Sequence, residues 1–443
     1  MFHPWSKRNK KKGSAMMLAI FTITFVLFLA TEISRLTINE YLTSATEVKK
    51  VQAYYAAKAC LQLSLLRIKA YQQATAALGK SVPNLGMLDM IWRFPLSWPP
   101  SLPKELSSFD SSTIKKTVGG SLLKNQFLSS ISAEGGKIDI NDLGSPSEGL
   151  RNQTAKQLLQ RLTARVQNNR DDFADRYSNY NFQELINNIT DWIDDDDQSL
   201  NGGSEKGMYT DFRSDFIPPN RPFKTKEELH MVEGMTDEIY ALIEPEITLF
   251  GVKGVNVNQA EKDVLLSLFA PYDPRLAEEI VTEILKRRNN PELGGPFKDE
   301  KEFLGFLGGY IDSRTFNDDK VPLFFGAEIN FRINCTGIVG QMTREIDAVV
   351  YDAIAVKEHL QNSLKEDLKN QGPNQGGQDL TEQCKDKQGE EKYKCLCQNI
   401  EEGQAKLKCL ESYRLQGQNQ DQSNKQGQGM RPGPPKMIFL QVK

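Results

Sequence analysis

One stretch near the amino terminus, KKGSAMMLAIFTITFVLFLATEISR, residues Lys11 to Arg35, sets the architecture expected for the whole chain. Its seventeen residues 14–30 carry no charge, which is enough for a short membrane span of roughly 17–25 residues. The basic residues before it are expected to stay in the cytoplasm, so that the rest of the chain crosses the membrane. A secretory signal peptide would show a small-x-small cleavage site after the apolar run, and TEISRLTINEYL has none.

The helical pattern continues beyond the apolar run. Apolar residues recur at three- and four-residue intervals from Ile38 to Leu66. The first proline after the apolar run is Pro83. This spacing predicts one long helix over residues 14–72, apolar at its start and amphipathic later. Residues 1–13 form the basic leader.

Composition limits the possible functions. At 443 residues the chain has room for two or three domains. Without the five basic residues of the leader, 50 basic side chains face 58 acidic ones, a net charge of about −8. A negative net charge does not favour a nucleic-acid partner, and we expect none. The sequence has three histidines and no nucleophile–base set, so we do not expect an enzyme.

The middle of the chain divides at residue 150. Residues 73–149 are expected to be mainly α/β: the proline-rich segment 83–103 predicts an irregular connection without a helix, and GGKIDINDL predicts a turn and a short strand. From Leu150 to about Leu307 the pattern is helical, which predicts an inserted all-α domain over residues 150–320. This domain contains a weak repeat, PFKTKEELHMVEGM from Pro222 and PFKDEKEFLGFLGGY from Pro296.

Residues 321–352 alternate apolar and polar side chains, which predicts two antiparallel strands around a turn at residues 339–341. Residues 353–435 are rich in Gln, Gly and Asn after an initial helix and predict an insertion. The segment 436–443 returns to a strand pattern, and we expect Met437–Val442 to complete the sheet.

The leader, the glycine, the small residue and the unbroken apolar helix resemble a type IV prepilin signal. This resemblance implies cleavage by a prepilin peptidase after Gly13 and N-methylation of Ser14. Most pilin-like proteins carry glutamate at the fifth mature position, where this chain has Leu18. A subunit without that buried carboxylate has no charge to satisfy with a neighbour's amine and can occupy a filament end. The alternative is an uncleaved signal anchor with a chance glycine.

A longer resemblance covers residues 13–351. In order, KIDINDL, LINNITDWIDDDDQ, GGSEKGMY, PPNRPFKTKEELHMVEGM and VNVNQAEKDVLLSL resemble the general secretion pathway protein K family. The resemblance implies an α+β, type IV pilin-like fold, with a long N-terminal helix packed on an antiparallel sheet and a large inserted all-α domain.

The family resemblance also implies a role and a location. Its members are non-catalytic minor pseudopilins that cap the tip of the type II secretion pseudopilus and help to initiate its assembly and protein export across the outer membrane. The implied partners are the I- and J-type minor pseudopilins, the major pseudopilin and the prepilin peptidase. The implied location is the bacterial inner membrane, crossed once, with the C-terminal bulk in the periplasm.

The segment DWIDDDDQSLNGGSE is the densest acidic cluster. Asp194, Asp196 and Glu205 approximate EF-hand positions one, three and twelve, but Ser199 replaces the glycine at position six, so this is not an EF-hand. A looser oxygen cage for calcium fits the hard carboxylate ligands, and the family resemblance also points to calcium in this domain. The candidate ligands are Asp194, Asp196 and Glu205, with Asp191 as a fourth; the alternative is a solvated helix end.

The six cysteines fall into two groups. The spacing of four of them is not a zinc pattern, and two disulfides of open connectivity are expected in an oxidising periplasm, with free thiols or a metal as alternatives; these are Cys384, Cys395, Cys397 and Cys409. Cys60 and Cys335 are expected to be unpaired core or interface residues, although a link between them stays open.

Two other functions compete with this interpretation. The glycines that end the two PFK repeats, together with VNVNQAEKDVLLSL, resemble helix-hairpin-helix modules of DNA-binding competence proteins. The predicted helical domain is acidic, however, and its only compact basic patch is Leu285–Asn290. A type IV pilus tip subunit is the second alternative.

Overall fold

A single helix, α1 (Lys12–Leu78), runs through the first part of the chain. The computed structural model describes residues 12–78, 86–100, 116, 119–121, 125–209, 218–312, 321–370 and 436–442. The first half of α1 has no packing partner in this part of the chain, whereas its second half lies on a sheet. The long helix expected from the apolar periodicity is confirmed.

The sheet has five antiparallel strands whose spatial order is their chain order. We number them within this sheet as β1 (Leu96–Trp98), β2 (Gln126–Ala133), β3 (Phe331–Val339), β4 (Met342–Tyr351) and β5 (Lys436–Val442). The β3–β4 hairpin and the last strand confirm the two strand predictions. Since β2 and β3 are neighbours along their whole length, the helical domain is inserted between two paired strands.

The second half of α1 packs closely on β3. Its small buried face, which includes Ala53, Ala57 and Cys60, lies against this strand. A Cβ atom at Gly337 would come 2.0 Å from the carbonyl oxygen of Ala53, so glycine is needed at this crossing. The fold class predicted from the sequence, a pilin-like helix on an antiparallel sheet with an inserted helical domain, is confirmed.

Cys60 and Cys335 form a disulfide, so the expectation that they are unpaired is wrong. Their Cα atoms are 5.8 Å apart, inside the range that a disulfide spans. The physical reason is the close helix–sheet approach at Gly337, which brings the two buried thiols together. The bond joins α1 to the middle of the sheet.

The prediction that residues 83–103 contain no helix is also wrong. Helix α2 (Gly86–Arg93) lies there and is followed by β1. The prolines flank the helix and none falls inside it, so no backbone hydrogen bond of α2 is lost to proline. Trp92 from α2 fills the core under α1, where its ring meets those of Tyr71 and Phe331 edge to face.

The inserted domain consists of short helices around one large core. Its α-helices are Glu148–Asn168, Asp172–Tyr177, Phe182–Asp191, Glu205–Tyr209, Asp237–Ile243, Lys262–Phe269, Ala277–Asn289 and Glu300–Leu307. The 3-10 helices are Ile140–Gly144, Lys226–Met231 and Pro291–Leu293. The core also takes in Ile138 and Leu143, which precede the predicted boundary at residue 150.

The domain is built from two similar halves, each closed by a pair of two-residue parallel strands. In the first half Ile138–Asp139 pairs with Ile247–Thr248, and in the second Val255–Asn256 pairs with Leu323–Phe324. The short strand predicted in GGKIDINDL is therefore present, but it pairs inside the helical domain and not in the five-stranded sheet.

An equivalent pair of hydrogen bonds, between an asparagine side chain and a phenylalanine backbone, occurs inside each half. In the first, the backbone N–H of Phe223 donates to Asn141 Oδ1 at 2.8 Å and Asn141 Nδ2 donates back to the Phe223 carbonyl at 3.2 Å. In the second, Phe297 and Asn258 make the same two bonds at 2.9 and 2.8 Å. The PFK repeat thus marks a structural repeat, with a buried phenylalanine at each copy.

The helix Ala353–Asn370 follows β4 and returns to the helical domain. There the hydroxyl of Ser147 donates to Asp367 Oδ2 at 2.6 Å, and the His359 ring stands edge-on to Phe324. The four cysteines Cys384, Cys395, Cys397 and Cys409 lie outside the described residues, so their pairing stays a prediction.

Candidate cation site and assembly helix

The acidic cluster lies in a loop of the first half, between the helices Phe182–Asp191 and Glu205–Tyr209. Gly202 and Gly203, with φ of 93° and 90°, turn this loop back on itself. The backbone N–H of Glu205 then donates to the Asp197 carbonyl at 3.3 Å. This turn brings the start of the second helix beside the acidic residues that follow the first.

Three of the four predicted ligands come together. Carboxylate oxygens of Asp194, Asp196 and Glu205 all lie within 4.8 Å of one another. Glu205 is only 1% exposed. Both of its carboxylate oxygens and Oδ1 of Asp194 are buried and have no hydrogen-bond partner among the described residues.

This arrangement disfavours the charged form of the carboxyl groups. Burial, followed by the charges of neighbouring carboxylates, raises the pKa of Glu205 to about 7 and that of Asp194 to about 6. A buried charge normally has an ion-pair or metal partner. Three buried oxygen atoms from hard carboxylate ligands, with no partner in the part of the chain that the structure describes, are the donor set that a divalent cation such as calcium takes.

The fourth predicted ligand, Asp191, binds a backbone N–H of the loop. Its two carboxylate oxygens accept from the backbone N–H of Leu200 at 3.1 and 3.2 Å. Burial raises the pKa of Asp191. Asp191 therefore fixes the loop that carries the cluster, and it is not in the group of three.

Asn220 is a neighbour of the cluster that the sequence did not reveal. Its Nδ2 donates to the backbone carbonyl of Asp196 at 2.5 Å, and its buried Oδ1 has no partner within the described ranges. Asn220 also has a positive φ of 45°. Its only signal in the sequence is the turn-forming pattern PPN, far from the acidic segment.

The other predicted site is the start of α1. Gly13, Ser14 and Leu18 lie in the first turns of this helix. The segment is long and apolar enough to cross a membrane, with a mean hydropathy of 2.2 over its best window and none of that window buried. Leu18 is 68% exposed.

A second apolar surface of α1 lies beyond this span. Tyr41, Val48, Val51 and Tyr55 are exposed. At about 100° per residue they share one side of the helix, opposite the side that includes Ala53 and packs on the sheet. Their three-, four- and seven-residue spacing is the spacing of helix–helix seams. We call this surface the outer seam.

Comparison with known proteins bears on the segment that holds the acidic loop. Residues 136–252 match the family model of type II secretion system (T2SS) protein K. This segment is therefore similar to protein K of type II secretion systems. The matched segment includes the whole acidic cluster and the first half of the helical domain.

Two individual proteins show the extent of the similarity. Type II secretion system protein K of Klebsiella pneumoniae is 27% identical over 99 residues, which are 21% of this chain and 30% of that relative. The chain therefore matches less than a third of the length of this curated relative. A crystal structure of the GspK-GspI-GspJ complex from the enterotoxigenic Escherichia coli type 2 secretion system aligns with a TM-score of 0.46 and 16% identity, covering 71% of this chain and 95% of that chain.

Proposed function

We propose that this chain is a member of the protein K family, a non-catalytic minor pseudopilin that caps the tip of the type II secretion pseudopilus. The observation that carries the proposal is α1, a single helix with two different environments. Its first half is apolar and exposed on all sides, and its second half is fixed to a folded domain. Such a helix can anchor the subunit in a membrane and later pack among the helices of other subunits.

The outer seam supports assembly through helix packing. It continues the exposed apolar surface of the membrane segment along the side of α1 that faces away from the sheet. Helices that repeat apolar residues at this spacing pack side by side. The proposed partners are the I- and J-type minor pseudopilins and then the major pseudopilin.

The tip position rests on two features. Leu18 places no carboxylate where a neighbouring amine would be needed, so this subunit requires no neighbour above it. We call α1, α2 and the five-stranded sheet the pilin-like body. The helical domain, inserted between two paired strands of that sheet, adds a second core that is larger than the core of the pilin-like body. This bulk hinders regular stacking and leaves a wide surface for contacts with the exported proteins or with the outer-membrane channel.

The disulfide supports a periplasmic location for the folded domain. Disulfides persist in oxidising compartments and are rare in the cytoplasm, and Cys60–Cys335 is buried in the core of the pilin-like body. With the basic leader in the cytoplasm, α1 would cross the inner membrane once. The Gly13–Ser14 bond would be the peptidase cleavage site, with Ser14 methylated afterwards.

We also propose that the acidic loop binds calcium. Asp194, Asp196 and Glu205 would hold the ion, and the buried Asn220 Oδ1 is a further oxygen in their neighbourhood. When bound, the ion would supply positive charge to a cluster that has none. The residues of the loop then keep the ends of two helices together.

The test of the main proposal is the mass of the N-terminal peptide of full-length protein expressed with and without an active prepilin peptidase. Loss of residues 1–13 and a gain of one methyl group on Ser14, only with the peptidase, are expected. Gly13→Ala is expected to keep the leader, while Ser44→Ala, further along α1, is a control that leaves processing unchanged. An intact leader with an active peptidase would make α1 a simple signal anchor and refute a pilin-like assembly role.

A further inference from the structure

A small cavity lies where the pilin-like body meets the second half of the helical domain. Its volume is about 240 Å³. One wall is α2, with Asp89, Met90 and Arg93, and the opposite wall includes Asn258 and Arg288. Two guanidinium groups from different domains thus line one cavity.

The basic patch in which Arg288 occurs is not a single surface. Lys286 pairs with Glu283 at 2.5 Å and points to solvent, and Arg287 pairs with Glu302. In the part of the chain that the structure describes, Arg288 has no carboxylate within ion-pair distance. It donates instead to the carbonyls of Val257 and Ala260 at 3.2 and 2.5 Å. These bonds fix the guanidinium but supply no negative charge to it.

The second guanidinium is fixed from the other side. Arg93 lies over the Trp92 ring, 5.2 Å from its centroid, and donates to the Gln259 side chain. Its nearest carboxylate oxygen, Oδ2 of Asp89, is 3.9 Å away.

Asp89 is already engaged elsewhere. It accepts from the Tyr71 hydroxyl at 2.9 Å and from Gln259 Nε2 at 2.7 Å. One carboxylate therefore faces two arginines in this cavity. Burial, followed by the charge of Arg93, lowers the pKa of Arg288 to about 10, and the charge of Glu261 offsets only part of this shift.

We propose that the Arg93–Arg288 cavity binds a small oxyanion of the carboxylate or phosphate class. Arginine guanidinium groups bind such anions through paired charge-assisted hydrogen bonds, and here two of them are held in place before the anion arrives. The cavity is smaller than the roughly 300–1,000 Å³ of sites for drug-sized ligands. It therefore suits a single acidic group, either the side chain of a partner polypeptide or a free ion.

The two walls come from different domains, so a bound anion would join them. Arg93 belongs to the pilin-like body, and Arg288 lies on the helix Ala277–Asn289 of the second half. Anion binding is therefore expected to raise the thermal midpoint of the protein.

The test uses full-length protein in detergent at constant ionic strength, with thermal midpoints measured across titrations of N-acetylglutamate N-methylamide, acetate and inorganic phosphate, and with chloride as the reference. At least one oxyanion is expected to raise the midpoint in a saturable way. Arg288→Gln and Arg93→Gln are each expected to raise its half-saturating concentration about tenfold or more, because each removes one charge-assisted bond. Lys286→Gln removes a charge from the same helix outside the cavity and is expected to leave that concentration unchanged.

The probes distinguish the source of the anion. Tighter binding of the glutamate side-chain analogue than of acetate and phosphate would indicate an acidic residue of a partner, and tighter binding of phosphate would indicate a free ion. Equal effects of all anions and chloride, or equal half-saturation in Arg93→Gln and the wild type, would overturn the proposal. Arg93 is half exposed, so its variant is expected to fold even if Arg288→Gln does not.

Discussion

The two halves of the helical domain share a scaffold and differ in charge. Each half has a two-residue strand, an asparagine that holds a PFK phenylalanine, and a closing parallel strand. The first half carries a loop with buried carboxylate oxygens that no described residue pairs with. The second half contributes Arg288, a cation without a carboxylate partner within the described residues.

This difference shows which part of the repeat fixes the fold and which part can carry a site. The matched asparagine contacts are satisfied inside the protein and need no ligand. The unsatisfied groups lie between them, in the segment that differs in length and sequence. We infer that one scaffold supports a proposed cation site in one copy and half of a proposed anion site in the other.

The largest effects are expected at the two PFK phenylalanines. Phe223→Ala and Phe297→Ala each remove a buried ring, which costs about 3–5 kcal/mol of unfolding free energy. Both rings belong to one continuous core, so each variant should lower the same urea transition. Two separate transitions, one for each variant, would show that the halves are independent folding units.

The asparagine contacts provide a finer comparison. Asn141→Ala and Asn258→Ala each leave a backbone N–H and a carbonyl without their partner, at a cost of about 2–4 kcal/mol. Asn258 is the more buried of the two, so its variant should lose more. Asn168→Ala, at an exposed position, is the control and is expected to change the urea midpoint little. A larger loss of stability in Asn141→Ala than in Asn258→Ala would show that burial does not set the cost of these contacts.

The scaffold was only partly visible in the sequence. The PFK repeat was apparent because its residues are identical, but the partner asparagines lie far from it in the chain, in IDIN and VNVN. Periodicity predicted α1, the β3–β4 hairpin and β5, since in these elements the pattern and the burial agree. It failed for α2, where flanking prolines masked an eight-residue helix.

The same limit applied to the sites: groups close together in the sequence were predicted, and contacts between distant residues were not. The acidic segment is local in sequence, so three ligands were predicted together, whereas Asn220 reaches them only through the fold. The disulfide joins residues 275 positions apart, and no local pattern indicates such a pairing. The role of Arg288 depends on where its two basic neighbours find their acidic partners, which the sequence does not specify.

The proposed cation site lies in the first half, so removal of the cation tests the contribution of that half to the stability of the protein. Free calcium at a hundred times its dissociation constant would stabilise the protein by about 2.7 kcal/mol, and a chelator should abolish this gain. Glu205→Gln should lose the calcium response yet be at least as stable as the wild type in chelator, because a buried uncompensated carboxylate has been removed. The measurement is the thermal midpoint with calcium and with chelator.

The control for this experiment lies in the same loop. Asp197 is exposed and pairs with Lys206 at 3.3 Å, outside the group of three carboxylates. Asp197→Asn should therefore keep the calcium response. A response lost equally in both variants would reduce the effect to the general charge of the loop and contradict a defined site.

The smallest expected effect separates loop geometry from ligand chemistry. Both halves contain a glycine pair with positive φ, Gly202–Gly203 in the first and Gly294–Gly295 in the second. A Cβ atom at Gly203 would meet nothing within 4 Å, so Gly203→Ala should cost only the backbone strain of about 1–2 kcal/mol. Because this glycine turns the acidic loop back toward Glu205, the variant should also weaken calcium binding. Gly340→Ala, in the β3–β4 turn, also has a positive φ and nothing within 4 Å of its Cβ position, so it should carry backbone strain of the same kind and leave calcium affinity unchanged. Equal calcium affinity in the two variants, measured by titration calorimetry, would show that the loop turn does not position the carboxylates, and the difference between the two halves would then rest on residue type alone.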